Sequence, residues 1–259
     1  MSMGEKPAAD RHISLTGMAN LRDLGGLIGM GGRRIKRNKY FRSGELFGLT
    51  DEDREIFRGL NLATVYDLRS SLERERRPSE APRFGAVKIY GRDYKDSAAG
   101  FPEVTSAPVI RASLAVQAMV KLYRTIPYEH ADSIREIFQL LKEDRTPLLF
   151  HCVAGKDRTG IVTALLLEVL GCAREDIYDD YIMTNAHIDL IRSRYLEHTP
   201  PEVPAEIWEP VVQSDRRYLE AMFKQLESEH GGAEGYLSEL GIGAADIESI
   251  RRLAIEGYE

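Results

Sequence analysis

Residues 146–160 read Thr146-Pro147-Leu148-Leu149-Phe150-His151-Cys152-Val153-Ala154-Gly155-Lys156-Asp157-Arg158-Thr159-Gly160, an apolar run that passes into a polar loop. The segment 148–150 is short and apolar, which is typical of a buried central strand, and 161–170 is apolar on nearly every side, which is typical of a buried helix. A helix that begins directly after the loop points its unpaired N–H groups and the positive end of its dipole at that loop. The pattern therefore predicts a strand, an anion-binding loop and a helix in succession.

Two side chains determine the chemistry that this loop can perform. Cys152 stands at its base, and Arg158 closes it after five intervening residues. Cysteine is a strong nucleophile only as a thiolate, a form favoured by converging backbone N–H groups, a helix N-terminus and a nearby guanidinium. Arginine is planar and always charged, so it can hold two phosphoryl oxygens in a bidentate fork during the transition state. The loop is therefore predicted to bind a phosphoryl group and to attack it through Cys152.

The neighbouring residues agree with this interpretation. Gly155 would let the backbone approach the phosphate closely, and the Thr159 hydroxyl is near enough in sequence to hydrogen-bond the sulfur and ease its departure. A buried cysteine at a strand end with a coincidental arginine is the alternative, and the strand and helix on either side argue against it. A Walker phosphate loop is excluded, because it needs a glycine where Phe150 stands and a Ser or Thr where Asp157 follows Lys156.

The motif His151-Cys152-x5-Arg158-Thr159-Gly160 resembles the signature of the cysteine-dependent protein tyrosine phosphatase superfamily. Its centre, Gly155-Lys156-Asp157-Arg158, is similar to that of a bacterial branch of tyrosine and phosphoinositide phosphatases. Asn20-x-Arg22-Asp23-x-Gly25-Gly26 and Arg42-Ser43-Gly44 match that branch in order, so the resemblance covers roughly residues 20–253. It implies a protein-tyrosine-phosphatase that works through a phosphocysteine intermediate and uses no metal and no cofactor. The phosphate-binding residues that it implies are Cys152, Val153, Ala154, Gly155, Lys156, Asp157, Arg158 and Thr159.

The resemblance also bears on the residues around the loop. It gives supporting roles to His151, Asp67 and Arg69, since the Asp-Leu-Arg element of the family packs beside the catalytic loop. The general acid must approach the leaving oxygen from the side opposite the sulfur, which favours a different loop. Asp93 follows a predicted strand and occupies the place along the chain where related dual-specificity phosphatases carry their acid, so it is the first candidate. Asp157, next to Arg158, is the second.

The strand and helix signals alternate between residues 40 and 170, with a second buried strand predicted at 62–68 and a third strand at 87–90. This order predicts an α/β fold in which a central, mostly parallel sheet is flanked by helices, with the catalytic loop at the carboxyl end of the middle strand. We expect a flexible tail over 1–12 and a single phosphatase domain over 13–259. Within it, 97–127 is too long for an ordinary connection and contains apolar residues at helical spacing, which favours a lid-like helical insertion.

Several other segments have simpler interpretations. Residues 20–32 look on composition alone like a glycine-rich turn that enters a hairpin, and the mixed-charge segment 71–77 looks like a solvated helix. The basic segment 33–39 is either a solvated hairpin or a surface for anionic lipid or an acidic substrate. Cys172 is expected to be packed at a helix end, with a redox partnership to Cys152 as the alternative.

Composition limits the remaining possibilities. The chain has 259 residues, 43% of them hydrophobic, and a net charge of −6, which argues against bulk binding of nucleic acid. Its two cysteines argue against a disulfide framework and favour a reducing compartment. No apolar run approaches the length of a membrane span and the first ten residues lack a hydrophobic region, so we expect a cytoplasmic protein with no integral membrane segment. Export by an unconventional route stays open. The histidines are scattered, with no spacing that suits a metal.

Two classes of function follow from the sequence. The first is a metal-independent phosphatase that hydrolyses phosphotyrosine, with phosphoserine, phosphothreonine and phosphoinositides as further substrates and inorganic phosphate as product. Lys156 within the loop and the basic segment 33–39 favour phosphoinositides. The second is a catalytically silent phosphate-binding module on the same fold. Such a module would be expected to have lost its nucleophile, its arginine or its acid, and this chain keeps candidates for all three.

Overall fold

The computed structural model of the chain describes residues 11–17, 20–93, 112–196 and 205–259. In this part of the chain, five strands form one sheet in the spatial order β1-β2-β5-β3-β4. The first strand is antiparallel to its neighbour and the other pairs are parallel. The α/β fold with a mostly parallel sheet is thus confirmed. The strands are β1 (Arg22–Asp23), β2 (Tyr40–Ser43), β3 (Thr64–Asp67), β4 (Lys88–Tyr90) and β5 (Leu148–His151).

The central strand is β5, as the sequence predicts. All four of its residues are buried, and it pairs with β2 on one side and β3 on the other. The register places His151 opposite Ser43 and opposite Asp67. Because parallel strands end at the same edge of a sheet, the segments after β2, β3 and β5 meet where the loop begins.

Helices cover both faces of the sheet in the described part of the chain. They are α1 (Asp51–Gly59), α2 (Ser71–Arg76), α3 (Ala112–Glu129), α4 (Ala131–Lys142), α5 (Asp157–Val169), α6 (Arg174–Ile182), α7 (Ile188–Leu196), α8 (Ala205–Val212), α9 (Arg216–His230), α10 (Ala233–Glu239) and α11 (Ala244–Ala254).

Alternation along the strands divides the core into two layers. Phe41, Val65 and Leu149 pack on the same side as Phe57 of α1, whereas Leu148 and its neighbours on the other side pack with α4 and α5. Helix α5 is buried on nearly all sides, with its run of leucines at 165–167 fully enclosed. Burying a leucine side chain contributes roughly 1.5–3 kcal/mol, so α5 is firmly held behind the loop that precedes it.

Local sequence signals explain where the helices on the loop side begin. Thr50 caps α1 and Ser70 caps α2, each in a reciprocal capping box with the third residue of the helix. Helix α2 therefore begins just after the carboxyl end of β3, beside the loop that follows β5.

The predicted insertion at 97–127 is only partly described. Its second half belongs to α3, which packs against α8 and α9, and residues 97–111 lie outside the described residues. The lid character stays a prediction. In the described part of the chain, no helix combines the length and the apolar character needed to cross a membrane.

The structure bears on two expectations about charged segments. Arg11, which the sequence places in the tail, has only 2% of its surface exposed. In the basic segment, the Lys36 and Lys39 ammonium groups each lie 2.9 Å from the Leu253 carbonyl oxygen, near the end of α11. Cations at a helix C-terminus satisfy carbonyls that lack partners within the helix. These two lysines therefore stabilise the fold itself rather than forming a free basic surface.

Candidate active site

The loop between β5 and α5 begins with Cys152, whose surface is 2% exposed, directly at the edge of the sheet. A ring nitrogen of His151, Nδ1, lies 3.1 Å from the Cys152 carbonyl oxygen. Since a carbonyl can only accept, Nδ1 donates this hydrogen bond. The backbone N–H of Glu45 donates to the next carbonyl, that of Val153, at 2.8 Å. The loop is thus fixed from outside by backbone and side chain.

Two residues that sequence reasoning did not assign to the site hold the middle of the loop. The Asn20 amide nitrogen donates to the carbonyls of Ala154, at 3.2 Å, and of Gly155, at 2.9 Å. The Arg42 guanidinium also donates to Gly155, at 2.8 Å. Asn20 and Arg42 lie in the two elements that extended the family resemblance, and that match was the available signal for them.

Gly155 is required by the backbone as well as by space. Its φ of +64° lies in the left-handed region, which favours glycine. A Cβ atom at this position would lie 2.4 Å from the Ser43 carbonyl oxygen. The loop can therefore pass this close to the end of β2 only with glycine.

Arg158 is held by a carboxylate that the sequence analysis assigned to solvent. Its two terminal nitrogens lie 2.7 and 2.8 Å from the two carboxylate oxygens of Glu73, and one of them also donates to the Leu68 carbonyl at 3.1 Å. Burial acts to raise the pKa of Glu73, but the hydrogen bonds and charge of Arg158 hold that pKa below its ordinary value. Helix α2 is therefore not merely a solvated helix, because one of its faces orients the arginine.

The supporting residues expected from the resemblance do lie beside the loop. Arg69 is fully buried and contacts Asp67 at 2.8 to 3.2 Å, and Asp67 faces His151 Nε2 at 3.6 Å. Burial acts to raise the pKa of Asp67, but His151 and Arg69 hold that pKa below its ordinary value. Burial lowers the pKa of His151, against the opposing charge of Asp67. The three side chains lie together in a buried row beside the Cys152 carbonyl.

The two candidate acids have different surroundings. Asp157 is 13% exposed, accepts a hydrogen bond of 2.8 Å from the Tyr123 hydroxyl of α3, and lies 3.1 Å from the Lys156 ammonium. Asp93 is 78% exposed, and its described contacts are with Ser71 and Arg74 of α2. The hydrogen bond from Ser71 and the charge of Arg74 lower the pKa of Asp93. The structure thus joins Asp157 to the loop and joins Asp93 to a neighbouring helix.

Lys156 is fully buried although it belongs to the loop. Its ammonium group donates to the Val211 carbonyl near the end of α8, in addition to its contact with Asp157. These partners tie the ammonium to the helical part of the protein. The expectation that it adds a cation for the substrate therefore lacks support from its contacts.

Beneath the loop lies a cluster of buried charges. The two oxygens of Asp180 contact Arg11 at 2.8 Å, Arg22 at 3.1 Å and Arg42 at 2.6 Å, and each of these side chains is at most 2% exposed. Burial acts to raise the pKa of Asp180, but the three guanidinium groups hold it well below its ordinary value. Burial and the charge of Arg42 lower the pKa of Arg22 to about 9. Three cations around one anion leave net positive charge here at neutral pH, which favours a bound dianion.

Two smaller expectations concern Thr159 and Cys172. The Thr159 hydroxyl is buried and has no hydrogen-bond partner within the described part of the chain, so it is able to donate to a nearby sulfur. Cys172 is 7% exposed, and burial raises the pKa of its thiol to about 12. A thiol protonated at neutral pH is a poor redox partner, which favours the packing interpretation.

Comparison with known proteins agrees with this geometry. Residues 13–256 match the model of a family described as the tyrosine phosphatase family. A candidate tyrosine-protein phosphatase of Cupriavidus necator is 31% identical, with 88% of this chain and 83% of that protein covered. The triple specificity protein phosphatase PtpB of Mycobacterium tuberculosis is 30% identical, with 92% and 96% covered. A tyrosine-protein phosphatase of Nostoc commune is 28% identical, with 84% and 74% covered.

Proposed function

The chain belongs to the tyrosine phosphatase family, and from that premise we propose that it hydrolyses phosphotyrosine through a phosphocysteine formed on Cys152. The observation that carries this proposal is the loop itself. Cys152 lies at its base, its backbone carbonyls are held outward, and Arg158 is fixed at its far end by Glu73. A silent phosphate-binding module would not need the nucleophile and the oriented arginine together.

The reaction takes place in two displacements. In the first, the Cys152 thiolate attacks phosphorus, the S–P bond forms, and the bond from phosphorus to the leaving oxygen breaks while an acid protonates that oxygen. In the second, water attacks the phosphocysteine, the S–P bond breaks, and inorganic phosphate leaves as the thiolate is restored. Arg158 holds the equatorial oxygens in both steps, and the Thr159 hydroxyl supports the departing sulfur.

For the acid, the contacts favour Asp157 over Asp93. Approach from the side opposite the sulfur favoured a different loop, but Asp157, the first residue of α5, is mostly shielded from water and is held beside the loop by Tyr123 of α3. Asp93 is exposed and already neutralised by Arg74. We therefore assign the proton transfer to Asp157 and leave Asp93 as the alternative that mutation can test.

We place phosphotyrosine first among the substrates because the chain belongs to the tyrosine phosphatase family. The Mycobacterium tuberculosis relative is named a triple specificity phosphatase, and we extend mixed specificity to this chain, with phosphoserine, phosphothreonine and phosphoinositides as secondary substrates. Lys156 and the basic segment 33–39 give less support to phosphoinositides than the sequence suggested, because Lys156, Lys36 and Lys39 donate to backbone carbonyls.

A substrate panel in the presence of EDTA tests the proposal. The panel contains an aryl phosphate, phosphotyrosine, phosphoserine and phosphothreonine peptides, and phosphoinositides, with the wild-type protein beside Cys152→Ser. We expect turnover of the aryl phosphate and the phosphotyrosine peptide, and none by Cys152→Ser. Absence of turnover by the wild type on every substrate, with phosphate still bound, would favour the silent module. Activity confined to phosphoserine and phosphothreonine would contradict the assigned specificity.

A further inference from the structure

Four consecutive carbonyls of the loop accept hydrogen bonds from donors outside it. The Cys152 carbonyl takes one from the His151 ring, and that of Val153 takes one from the Glu45 backbone. The Ala154 carbonyl takes one from Asn20, and the Gly155 carbonyl takes one from Asn20 and one from Arg42. The Asn20 amide group is the donor that serves two successive peptide units.

Peptide geometry converts these outer contacts into the inner surface of the loop. A trans peptide is planar, and its C=O and N–H point in opposite directions. The Ala154 carbonyl shares its peptide plane with the Gly155 N–H, and the Gly155 carbonyl shares its plane with the Lys156 N–H. Holding these two carbonyls outward therefore turns the N–H groups of Gly155 and Lys156 towards the centre of the loop, where a phosphoryl oxygen would lie.

Asn20 is itself held in a position that costs conformational energy. Its φ of +75° lies in the left-handed region, and its surface is 1% exposed. The Arg22 guanidinium donates to its side-chain oxygen, and the Thr184 hydroxyl lies 3.2 Å from its amide nitrogen. Arg22 in turn contacts Asp180 at 3.1 Å. The amide orientation is thus fixed by the buried charge cluster.

We propose that Asn20 is a positioning residue of the phosphate loop, which aims the N–H groups of Gly155 and Lys156 at the substrate's phosphoryl oxygens. This inference rests on the proposed function of the loop as a phosphate site. It makes Asn20 necessary for oxyanion affinity and for turnover, although its side chain does not contact the substrate.

The test compares two substitutions of Asn20 with the same substitutions of Asn61. Asn20→Gly removes the amide without backbone strain, because glycine accepts a positive φ, and Asn20→Asp keeps the shape but turns an oxygen towards two carbonyls. Asn61 is a matched control, since it also has a positive φ, 49°, and its amide donates to the Gly59 carbonyl at an exposed site just after the end of α1. The full-length variants are compared by their inhibition constants for orthovanadate and inorganic phosphate, by kcat, and by thermal melting.

We expect the inhibition constants of Asn20→Gly for both anions to rise by about tenfold to a hundredfold, the range for one lost hydrogen bond to a charged group, and kcat to fall with them. Asn20→Asp should bind the anions still more weakly, and both Asn61 variants should stay within about twofold of the wild type. A merely structural role would lower the melting temperature and leave the inhibition constants of the folded Asn20→Gly protein unchanged. That result would overturn the inference. A wild-type protein that binds neither anion would instead overturn the phosphate site itself.

Discussion

Replacing Glu73 by glutamine should lower kcat/KM substantially while the protein stays folded. Glu73 contacts both terminal nitrogens of Arg158, at 2.7 and 2.8 Å, from a side chain that is 24% exposed. Glutamine keeps one acceptor oxygen, but its NH2 group would face a guanidinium that can only donate. The variant therefore loses one of the two charge-assisted hydrogen bonds, so Arg158 is held less firmly in its orientation beside the loop.

The size of the effect follows from the hydrogen bond that is lost. A hydrogen bond to a charged group contributes about 1.5–3 kcal/mol, and about 1.4 kcal/mol corresponds to a factor of ten. If the orientation of Arg158 limits transition-state binding, kcat/KM falls by about ten- to a hundredfold. Because the pKa of Glu73 is lowered, its pairing with Arg158 is complete above the ordinary carboxyl value of 4.5 and is lost only as the pH falls through the depressed pKa. The ratio of wild-type to variant kcat/KM should thus be constant between about pH 5 and 7.

The assay is steady-state hydrolysis of an aryl phosphate, with Glu55→Gln as the control. Glu55 forms an exposed pair with Arg58 on α1, and exposed pairs of this kind contribute little. Its variant should therefore match the wild type. The reasoning is refuted if Glu73→Gln retains wild-type kcat/KM, or if Glu55→Gln loses as much activity.

Three further predictions concern the acid, the charge cluster and the loop glycine. Asp157→Asn should lower kcat for substrates with poor leaving groups by about 10²-fold or more and remove the basic limb of the pH–rate profile. Asp93→Asn should keep the wild-type kcat and the basic limb. The reverse result would assign the general acid to Asp93. Asp180→Asn should lower the free energy of unfolding, measured in urea, by about 3–5 kcal/mol, because the arginines around it lose their buried anion. Since the pKa of Asp180 is depressed, this stabilisation is present above the ordinary carboxyl pKa and disappears as the pH falls through the lowered value; a variant with wild-type stability at pH 7 would contradict the account. Gly155→Ala should abolish inhibition by orthovanadate, because its Cβ would lie 2.4 Å from the Ser43 carbonyl oxygen; retained inhibition would show that the loop tolerates the side chain.

Local sequence patterns were sufficient to predict the central strand and the helix that follows the loop. The short apolar run before Cys152 forms β5, and the apolar segment after Arg158 forms most of α5. The structure also shows Thr50 as the N-cap of α1. These features depend on neighbours within a few residues along the chain, where hydrophobic periodicity and capping chemistry act directly. The nucleophile and the arginine could be assigned for the same reason.

The surroundings of the loop depend on contacts between residues far apart in the sequence, which residue spacing does not predict. Asn20 meets Gly155 across 135 positions, and Arg42 meets Asp180 across 138. Composition showed only a glycine-rich turn at 20–32, and only the family resemblance drew attention to it. Glu73 was missed because a short helix of alternating charges does not reveal which face lies against the protein. Long-range packing, rather than local propensity, decides these contacts.

If the phosphoryl group is transferred to Cys152 during turnover, the covalent intermediate can be trapped and identified. Wild-type protein mixed with an aryl phosphate is quenched in acid within milliseconds, digested and examined by mass spectrometry. We expect one added phosphoryl group on the peptide that contains Cys152, and none on the same peptide when Cys152→Ser is treated in the same way. Turnover by the wild type with no phosphoryl group on that peptide, or continued turnover by Cys152→Ser, would contradict this transfer.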